Sequence, residues 1–157
     1  QIKGFFGLTT ISNILKSIIM MYPVDLTRPM AEELVNAGFS SLSTPEEVDQ
    51  AMAKKQGTTL LVVNSVCGCA AAHARPGVRM ALQGTKKPDN MITVFAGVDK
   101  EATAQAREYM LPFPPSSPSI ALFKDGKLVH VLERHHIEGR SAQIIAENLM
   151  GAFNHFC

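Results

Sequence analysis

A continuous apolar run at residues 58–64 is followed almost at once by two cysteines with a single glycine between them. The run, Thr-Thr-Leu-Leu-Val-Val-Asn, lacks the polar alternation of a half-exposed strand, so it predicts a strand covered on both faces. An alanine-rich stretch at residues 70–83 then predicts a helix, in which Pro76 should cause a bend and free a backbone carbonyl. We therefore expect Cys67 and Cys69 at a strand-to-helix junction of an α/β domain.

Strands and helices continue to alternate after this junction. Residues 91–97 predict a second buried strand, and Asp99 should cap the helix that follows it. A strand-helix-strand unit implies parallel pairing of its two strands. Asp125-Gly126 between two apolar runs predicts a hairpin, and residues 141–156 predict a terminal amphipathic helix. From about residue 58 the expected order is βαβαββα.

Two further helices are predicted ahead of the first strand. Residues 27–29 supply a cap region and an early proline for a helix that stops at Gly38. A capping box with Thr44 and Glu47 opens the second helix, which runs toward Gly57. The sequence shows no repeat, low-complexity tract or linker. We expect one α/β domain over residues 21–157, with a central mixed sheet flanked by helices and an N-terminal helical extension.

Residues 1–20 differ in character from the remainder. They carry Lys3 and Lys16 and no acidic residue, whereas residues 21–157 carry 13 basic and 14 acidic side chains. The segment lacks the unbroken apolar core and the cleavage motif of a signal peptide. Apolar residues at helical spacing favour a short amphipathic helix docked on the domain. We expect a non-native or upstream leader at residues 1–20, and Met21 is suited to be the natural start.

Charge and cysteine content narrow the function classes. The 157 residues carry a net charge of +1 without a basic stripe, which argues against nucleic acid as the main partner. No stretch approaches the roughly 20 apolar residues of a membrane span. A domain of this length buries enough surface to fold without disulfides, so three cysteines are not expected to form a structural framework. An odd, small number favours a reducing, cytoplasmic location or a reactive site.

Cys67 and Cys69 are the residues most suited to chemistry. Amides at the start of a helix favour an anion, so one thiol, most simply Cys67, should have a lowered pKa. A disulfide across Gly68 would close a small ring, strained and readily reduced, for which glycine supplies unusual dihedrals. Two alternatives stay open at this point. The C-x-C pair could hold a soft metal together with a histidine such as His73, or the cysteines could be inert and buried.

Three other positions are candidate accessory residues. Pro118 opens a predicted strand after a proline-rich loop, which favours a cis peptide bond and would hold the Ser117 backbone outward for an extended substrate. A merely rigid loop or a minimal polyproline motif are the alternatives. His73 could steady a thiolate or be an ordinary histidine, and Cys157 could be a resolving thiol or a spectator. The His135-His136 pair is expected in a solvated loop.

Many separate motifs of this sequence agree with one known family. It resembles the bacilliredoxins over about residues 21–157, including the terminal cysteine. The motifs are Val62 to Ala71 with its C-G-C, Ala74-Arg75-Pro76, Pro88-Asp89-Asn90, Val94 to Gly97, Asp99 to Ala104, Pro115 to Ser119 and Ile137-Glu138-Gly139.

This resemblance implies a thioredoxin-like domain that acts as a thiol-disulfide oxidoreductase, removing bacillithiol from protein mixed disulfides. By position, Cys67 would attack and take bacillithiol onto itself, Cys69 would resolve or modulate, and Pro118 would be a cis-proline facing them. Gly68 and Ser117 would lie on the substrate side. Bacillithiol, or a similar low-molecular-weight thiol, would be a co-substrate, with no resident cofactor or metal. A general disulfide reductase or isomerase and a soft-metal-binding module are the alternatives.

Overall fold

The computed structural model describes residues 22–157, so the expectations for a leader at residues 1–20 and a start at Met21 lie outside the described residues. The helices and strands alternate along most of the chain. In order they are α1 (Val24–Val35), β1 (Ser40–Ser41), α2 (Pro45–Met52), β2 (Thr58–Asn64), a π-helical turn (Ala70–Ala74), α3 (Arg75–Ala81), β3 (Asn90–Phe95), α4 (Lys100–Tyr109), β4 (Ser119–Lys124), β5 (Lys127–Leu132), α5 (Arg134–Ile137) and α6 (Ala142–Phe156).

The five strands form one sheet in the order β1-β3-β2-β4-β5. β2 lies at its centre, parallel to β3 and antiparallel to β4, and β4 and β5 form the antiparallel hairpin. All seven residues of β2 are buried, as expected of a strand covered on both faces. The predicted mixed sheet with flanking helices is therefore confirmed.

Alternate residues of β2 contribute to two hydrophobic clusters, one on each face of the sheet. Leu60 and Val62 belong to the cluster that α1, α3 and α6 cover. Leu61 and Val63 belong to the cluster that α2 and α4 cover. This arrangement fixes the end of β2, and with it the cysteine loop, between the two helical layers. Among residues 22–157, no helix has both the length and the apolar content required to cross a membrane.

Local sequence signals account for several element boundaries. The Thr44–Glu47 capping box forms as predicted, and the Ser141 hydroxyl accepts the Ile144 N–H at the start of α6. The hairpin between β4 and β5 turns through residues with φ of 50° at Asp125 and 78° at Gly126. These left-handed conformations suit a turn of the Asp-Gly type, so the predicted hairpin is confirmed.

Other boundaries differ from the prediction. α1 begins at Val24, because the Pro23 carbonyl already accepts the Leu26 and Thr27 amides, and Pro29 therefore lies inside the helix. The Thr27 hydroxyl, expected in the cap region, donates back to the Pro23 and Val24 carbonyls. The Asp99 side chain accepts the Phe95 N–H and makes no cap bond with α4.

Short elements were also missed. The two-residue strand β1 is made of serines and has no apolar pattern, so its pairing with β3 was not predicted. The His135-His136 pair lies in the four-residue helix α5, although both side chains are exposed as expected of a solvated segment.

Close packing between α3 and α6 gives a stability prediction. A Cβ at Gly77 would lie 2.7 Å from Ile145 Cγ2 and 3.0 Å from the Ala142 carbonyl oxygen. Gly77→Ala should therefore lower the free energy of unfolding by about 1–3 kcal/mol, measured by urea denaturation. Gly151 in α6 has open space around it, so Gly151→Ala should raise that free energy by about 0.5–1 kcal/mol. A neutral Gly77→Ala would contradict the proposed close contact.

Candidate active site

The cysteine loop connects the buried end of β2 to the helical segment that leads into α3. The Ala70 and Ala71 amides both donate to the Cys67 carbonyl, at 3.1 and 3.2 Å, which starts the helical turn. The Arg75 N–H then donates to the Ala70 carbonyl five residues earlier, within the π-helical turn. The disturbance expected from Pro76 thus takes the form of a wide turn just before the proline. Both cysteines lie at the predicted strand-to-helix junction.

Cys67 is half-buried and its sulfur accepts two hydrogen bonds. The Ser65 hydroxyl donates at 3.2 Å and the Ala70 N–H at 3.4 Å. Burial alone would raise the pKa of Cys67, but the neighbouring Cys69 thiol, these two donors and the charge of Arg134 outweigh it. The net effect lowers the pKa of Cys67 below the ordinary thiol value. This agrees with the direction predicted from its position at a helix start.

The pKa of Cys69 is shifted in the opposite direction. Its side chain is buried, and burial is the largest cause that raises its pKa, followed by hydrogen bonding and charge repulsion with Cys67. As pH rises, Cys67 therefore ionises first and Cys69 last. All three cysteines are free thiols in this structure. Of the two neighbouring thiols, Cys67 is therefore the more easily ionised.

Ser117 lines the same cleft as Cys67, and the Ser117-Pro118 peptide bond is cis, as predicted. Pro118 is buried and immediately precedes β4, the antiparallel neighbour of β2. The Ser117 carbonyl accepts a hydrogen bond from Arg134 Nη1 at 3.3 Å. The backbone expected to face an extended substrate is therefore held by an arginine side chain.

The other predicted positions are not brought to the cleft. Gly68 has no positive φ in this reduced form, and nothing lies within 4 Å of where its Cβ would be. His73 is half-buried in the π-helical turn and does not line the cleft. Cys157 is half-buried, packs against the α1/α3/α6 cluster and extends α6 through a bond to the Phe153 carbonyl. A role for Cys157 as a resolving thiol therefore remains a prediction.

Several residues of the cleft were missed from the sequence. Besides Cys67 and Ser117, it is lined by Tyr22, Ser65, Val66, Ala96, Gly97, Arg107 and Arg134. Ser65 could have been noticed, because a hydroxyl two residues before a helix-start cysteine is within reach of its sulfur. The two arginines carry no such local signal, since they come from α4 and α5, far along the chain.

A buried arginine holds the loop from beneath. Arg75 is 2% exposed, and its Nη1 donates to Asn64 Oδ1 and to the Ser65 carbonyl, each at 3.1 Å. Its Nε lies 3.1 Å from Glu33 Oε2 in an ion pair with α1. Asn64 in turn donates to the Met30 carbonyl of the same helix at 3.2 Å. This network fixes the segment that leads into Cys67.

A possible metal-ligand group lies outside the cysteine pair. Within residues 22–157, ligand atoms of Glu133, His135 and His136 come within 4.8 Å of one another, and neither Cys67 nor Cys69 belongs to the group. His136 Nδ1 already accepts the Glu133 N–H at 3.0 Å, which occupies one ligand position. The C-x-C pair thus has no additional ligand from this group.

Sequence relatives agree on one family. The family described as disulphide isomerase matches residues 22–157. A bacilliredoxin of Cytophaga hutchinsonii is 64% identical over 129 residues, covering 82% of this chain and 95% of that relative. A bacilliredoxin of Geobacillus kaustophilus is 53% identical over 137 residues, covering 87% of this chain and 94% of that relative.

The chain belongs to the bacilliredoxin family. Solved structures similar to this bacilliredoxin-family chain place its fold among thioredoxins. A Fasciola hepatica thioredoxin covers 73% of this chain and 99% of its own, with a TM-score of 0.51 at 16% identity. Oxidised mitochondrial thioredoxin 3 of Saccharomyces cerevisiae covers 74% of this chain and 94% of its own, with a TM-score of 0.50 at 17% identity. The predicted thioredoxin-like fold is confirmed.

The Arg75 network predicts a large stability effect for a single change in this bacilliredoxin-family chain. Arg75→Met keeps an apolar stem but removes the donor to Asn64 Oδ1 and Ser65 O, so the free energy of unfolding should fall by about 2–4 kcal/mol. Urea denaturation measures this loss. Arg79→Met is the matched control, because Arg79 is exposed in the same helix and its loss should cost less than about 0.5 kcal/mol. Equal losses would refute the structural role of Arg75.

The Ser65 hydrogen bond predicts a reactivity effect at Cys67. Ser65→Ala removes a donor to the thiolate, so the pKa of Cys67 should rise and its alkylation by iodoacetamide near neutral pH should slow by up to about tenfold. Peptide mass spectrometry across a pH series follows Cys67 separately from Cys69. Ser117→Ala is the control, because in the described chain the Ser117 hydroxyl makes no bond to either sulfur. An unchanged pH midpoint in Ser65→Ala would show that this bond does not stabilise the thiolate.

Proposed function

We propose that this chain is a thiol-disulfide oxidoreductase that removes bacillithiol, or a similar low-molecular-weight thiol, from protein mixed disulfides. One observation carries the proposal: the Cys67 sulfur, at a helix start, accepts hydrogen bonds from the Ser65 hydroxyl and the Ala70 N–H, while the neighbouring Cys69 is buried. In line with these contacts, the pKa of Cys67 is lowered and that of Cys69 is raised. A thiolate is the attacking species in disulfide exchange, and a protonated neighbour does not compete with it. Family membership and the thioredoxin fold support the general class of reaction.

In the first step, the Cys67 thiolate attacks the low-molecular-weight sulfur of the mixed disulfide. The existing S–S bond breaks, a Cys67 mixed disulfide forms, and the substrate protein leaves as a thiolate that takes up a proton. One disulfide replaces another, so no oxidant or reductant is consumed. The Ser65 hydroxyl and Ala70 N–H hold the attacking sulfur at the helix start.

The second step follows from the coupling between the two cysteines. Hydrogen bonding and charge repulsion with Cys67 both raise the pKa of Cys69. When Cys67 carries the low-molecular-weight thiol, its negative charge is gone, so the pKa of Cys69 should fall. The Cys69 thiolate can then attack Cys67 Sγ, which forms the Cys67-Cys69 disulfide and releases the small thiol. The small ring across Gly68 should make that disulfide easy to reduce again.

The proposed partners and location follow from this chemistry. Substrates are proteins that carry a low-molecular-weight thiol or another accessible disulfide, and the small thiol is a co-substrate with no resident cofactor. A reducing compartment, the cytoplasm, would keep both cysteines available as thiols. A general disulfide reductase or isomerase would use the same thiolate. A soft-metal module would use both sulfurs as ligands and leave no free nucleophile.

Two cysteine variants test the proposed steps. Incubation of the reduced protein with a bacillithiolated substrate, followed by intact mass spectrometry of both proteins, should show loss of bacillithiol from the substrate and conversion of wild-type protein to its Cys67-Cys69 disulfide. Cys67→Ser should show no transfer, while Cys69→Ser should accumulate the Cys67 mixed disulfide. Cys157→Ser is the control and should react as wild type in the first step. Removal of bacillithiol by Cys67→Ser at the normal rate would refute the assigned nucleophile.

The same material separates the alternatives. Equal rates on unrelated intramolecular disulfides would favour a general reductase or isomerase over a remover of small thiols. Elemental analysis after purification under reducing conditions tests the metal module. Stoichiometric copper or zinc that disappears in Cys67→Ser and Cys69→Ser would overturn the redox proposal, and metal-free protein with titratable thiols would support it.

A further inference from the structure

An open cleft adjoins the Cys67 sulfur. Its volume is about 330 Å³, within the usual range for sites that bind small molecules. The cysteine loop forms one wall, the loop after β3 forms another, and Ser117 lies at the edge. Tyr22 packs over Gly97, where a Cβ would lie only 2.8 Å from the tyrosine Cε2. The cleft therefore has an aromatic wall within the same space as the nucleophile.

Arg107 of α4 also lines this cleft, with a charge that no side chain neutralises. Its Nε is buried and makes no hydrogen bond within the described part of the chain. No carboxylate of residues 22–157 lies within ion-pair distance of it, and residues 1–21 contain no Asp or Glu. Burial without a partner lowers the pKa of Arg107, which expresses the cost of holding this charge partly out of water. An anion placed in the cleft would relieve that cost.

Arg134 of α5 supplies a second guanidinium to the same space. Its Nε donates to Glu138 Oε2 at 3.4 Å and its Nη1 to the Ser117 carbonyl at 3.3 Å. A guanidinium has five N–H donors, so these contacts orient the group and leave donors available. The side chain is 45% exposed, so an incoming ligand can reach it. Arg134 and Cys67 line the same cleft, and the arginine charge lowers the pKa of Cys67.

We propose that this cleft is the subsite for the body of a carboxylate-bearing low-molecular-weight thiol, with Arg107 and Arg134 binding its carboxylates while its sulfur meets Cys67. The inference rests on the proposed function and adds to it the residues that would bind the body of the small thiol. Guanidinium and carboxylate groups match in geometry as well as charge. A concave cleft of about 330 Å³ matches the body of a small molecule in size. A neutral thiol would leave the Arg107 charge uncompensated, so it should be taken up more slowly.

The test compares two small disulfides that differ in charge and share one leaving group. The probes are the 2-thiopyridyl mixed disulfides of mercaptosuccinate and of 2-mercaptoethanol, reacted with a Cys69→Ser, Cys157→Ser protein in which Cys67 is the remaining thiol. Cys67 attacks the aliphatic sulfur, its mixed disulfide forms, and 2-thiopyridone leaves with the displaced electron pair and takes up a proton. The release of 2-thiopyridone gives both rates. Their ratio cancels any change in the thiolate fraction of Cys67.

We expect the protein with both arginines to react faster with the mercaptosuccinate probe, and added salt to reduce the ratio. Arg107→Gln and Arg134→Gln should each lower the ratio by about tenfold, because each removes a charged hydrogen bond to the probe. Arg107→Lys should restore part of the ratio. Arg79→Gln removes one positive charge outside the cleft and should leave the ratio unchanged. Circular dichroism and thermal unfolding of each variant check that the fold is intact.

The outcomes separate this inference from the proposed function. Reaction with neither probe would refute the nucleophilic role of Cys67 itself. Reaction with both probes at a ratio near one, unaffected by Arg107→Gln and Arg134→Gln, would refute the carboxylate subsite and leave the proposed function standing. A third probe carries 2-thiopyridine on the cysteine of an acidic peptide. If that probe shows the same arginine-dependent preference, the cleft recognises protein segments and the small-thiol assignment is wrong.

Discussion

The buried Arg75 side chain is the interaction on which the geometry of the site depends. A charged group that is 2% exposed requires partners, and they come from three separate parts of the chain. Glu33 belongs to α1, Asn64 ends the central strand, and the Ser65 carbonyl belongs to the cysteine loop. The ion pair and the two hydrogen bonds of this one guanidinium therefore fix α1, β2 and α3 relative to each other. The same guanidinium also holds the Ser65 carbonyl, and the Ser65 hydroxyl donates to the Cys67 sulfur.

The wide helical turn before Pro76 belongs to the same arrangement. A proline in a helix has no amide to donate, and here the chain accommodates it with a π-helical turn over Ala70–Ala74. The turn begins directly after Cys69 and ends where Arg75 turns inward. The cysteines thus lie on a helix start that is fastened at its far end by a buried charge. This placement keeps the Cys67 sulfur within reach of its two hydrogen-bond donors, the Ser65 hydroxyl and the Ala70 N–H.

Sequence reasoning succeeded where the determining signal is local. β2 has the predicted limits, and the Thr44 capping box and the Asp125-Gly126 hairpin need only a few neighbouring residues. Sequence reasoning failed where contacts between distant parts of the chain determine the structure. Strand β1, which has no apolar pattern of its own, is defined by its pairing with β3. For the site, the cysteines and Ser117 were found from motifs. The arginines were not, because the fold alone brings α4 and α5 to one cleft.

Net charge illustrates why composition alone missed the electrostatics of the cleft. A total of +1 argues against nucleic acid as the main partner, but it averages over the whole chain. Acidic residues are engaged elsewhere: Asp49 accepts from Tyr109 and Gln105, and Asp89 accepts from Thr58. Arg107 is left without such a partner in the described chain, and it lines the same cleft as Cys67. A nearly neutral protein can therefore carry unpaired positive charge at one cleft. Such a cleft favours an anionic reactant, while the remaining surface does not attract polyanions.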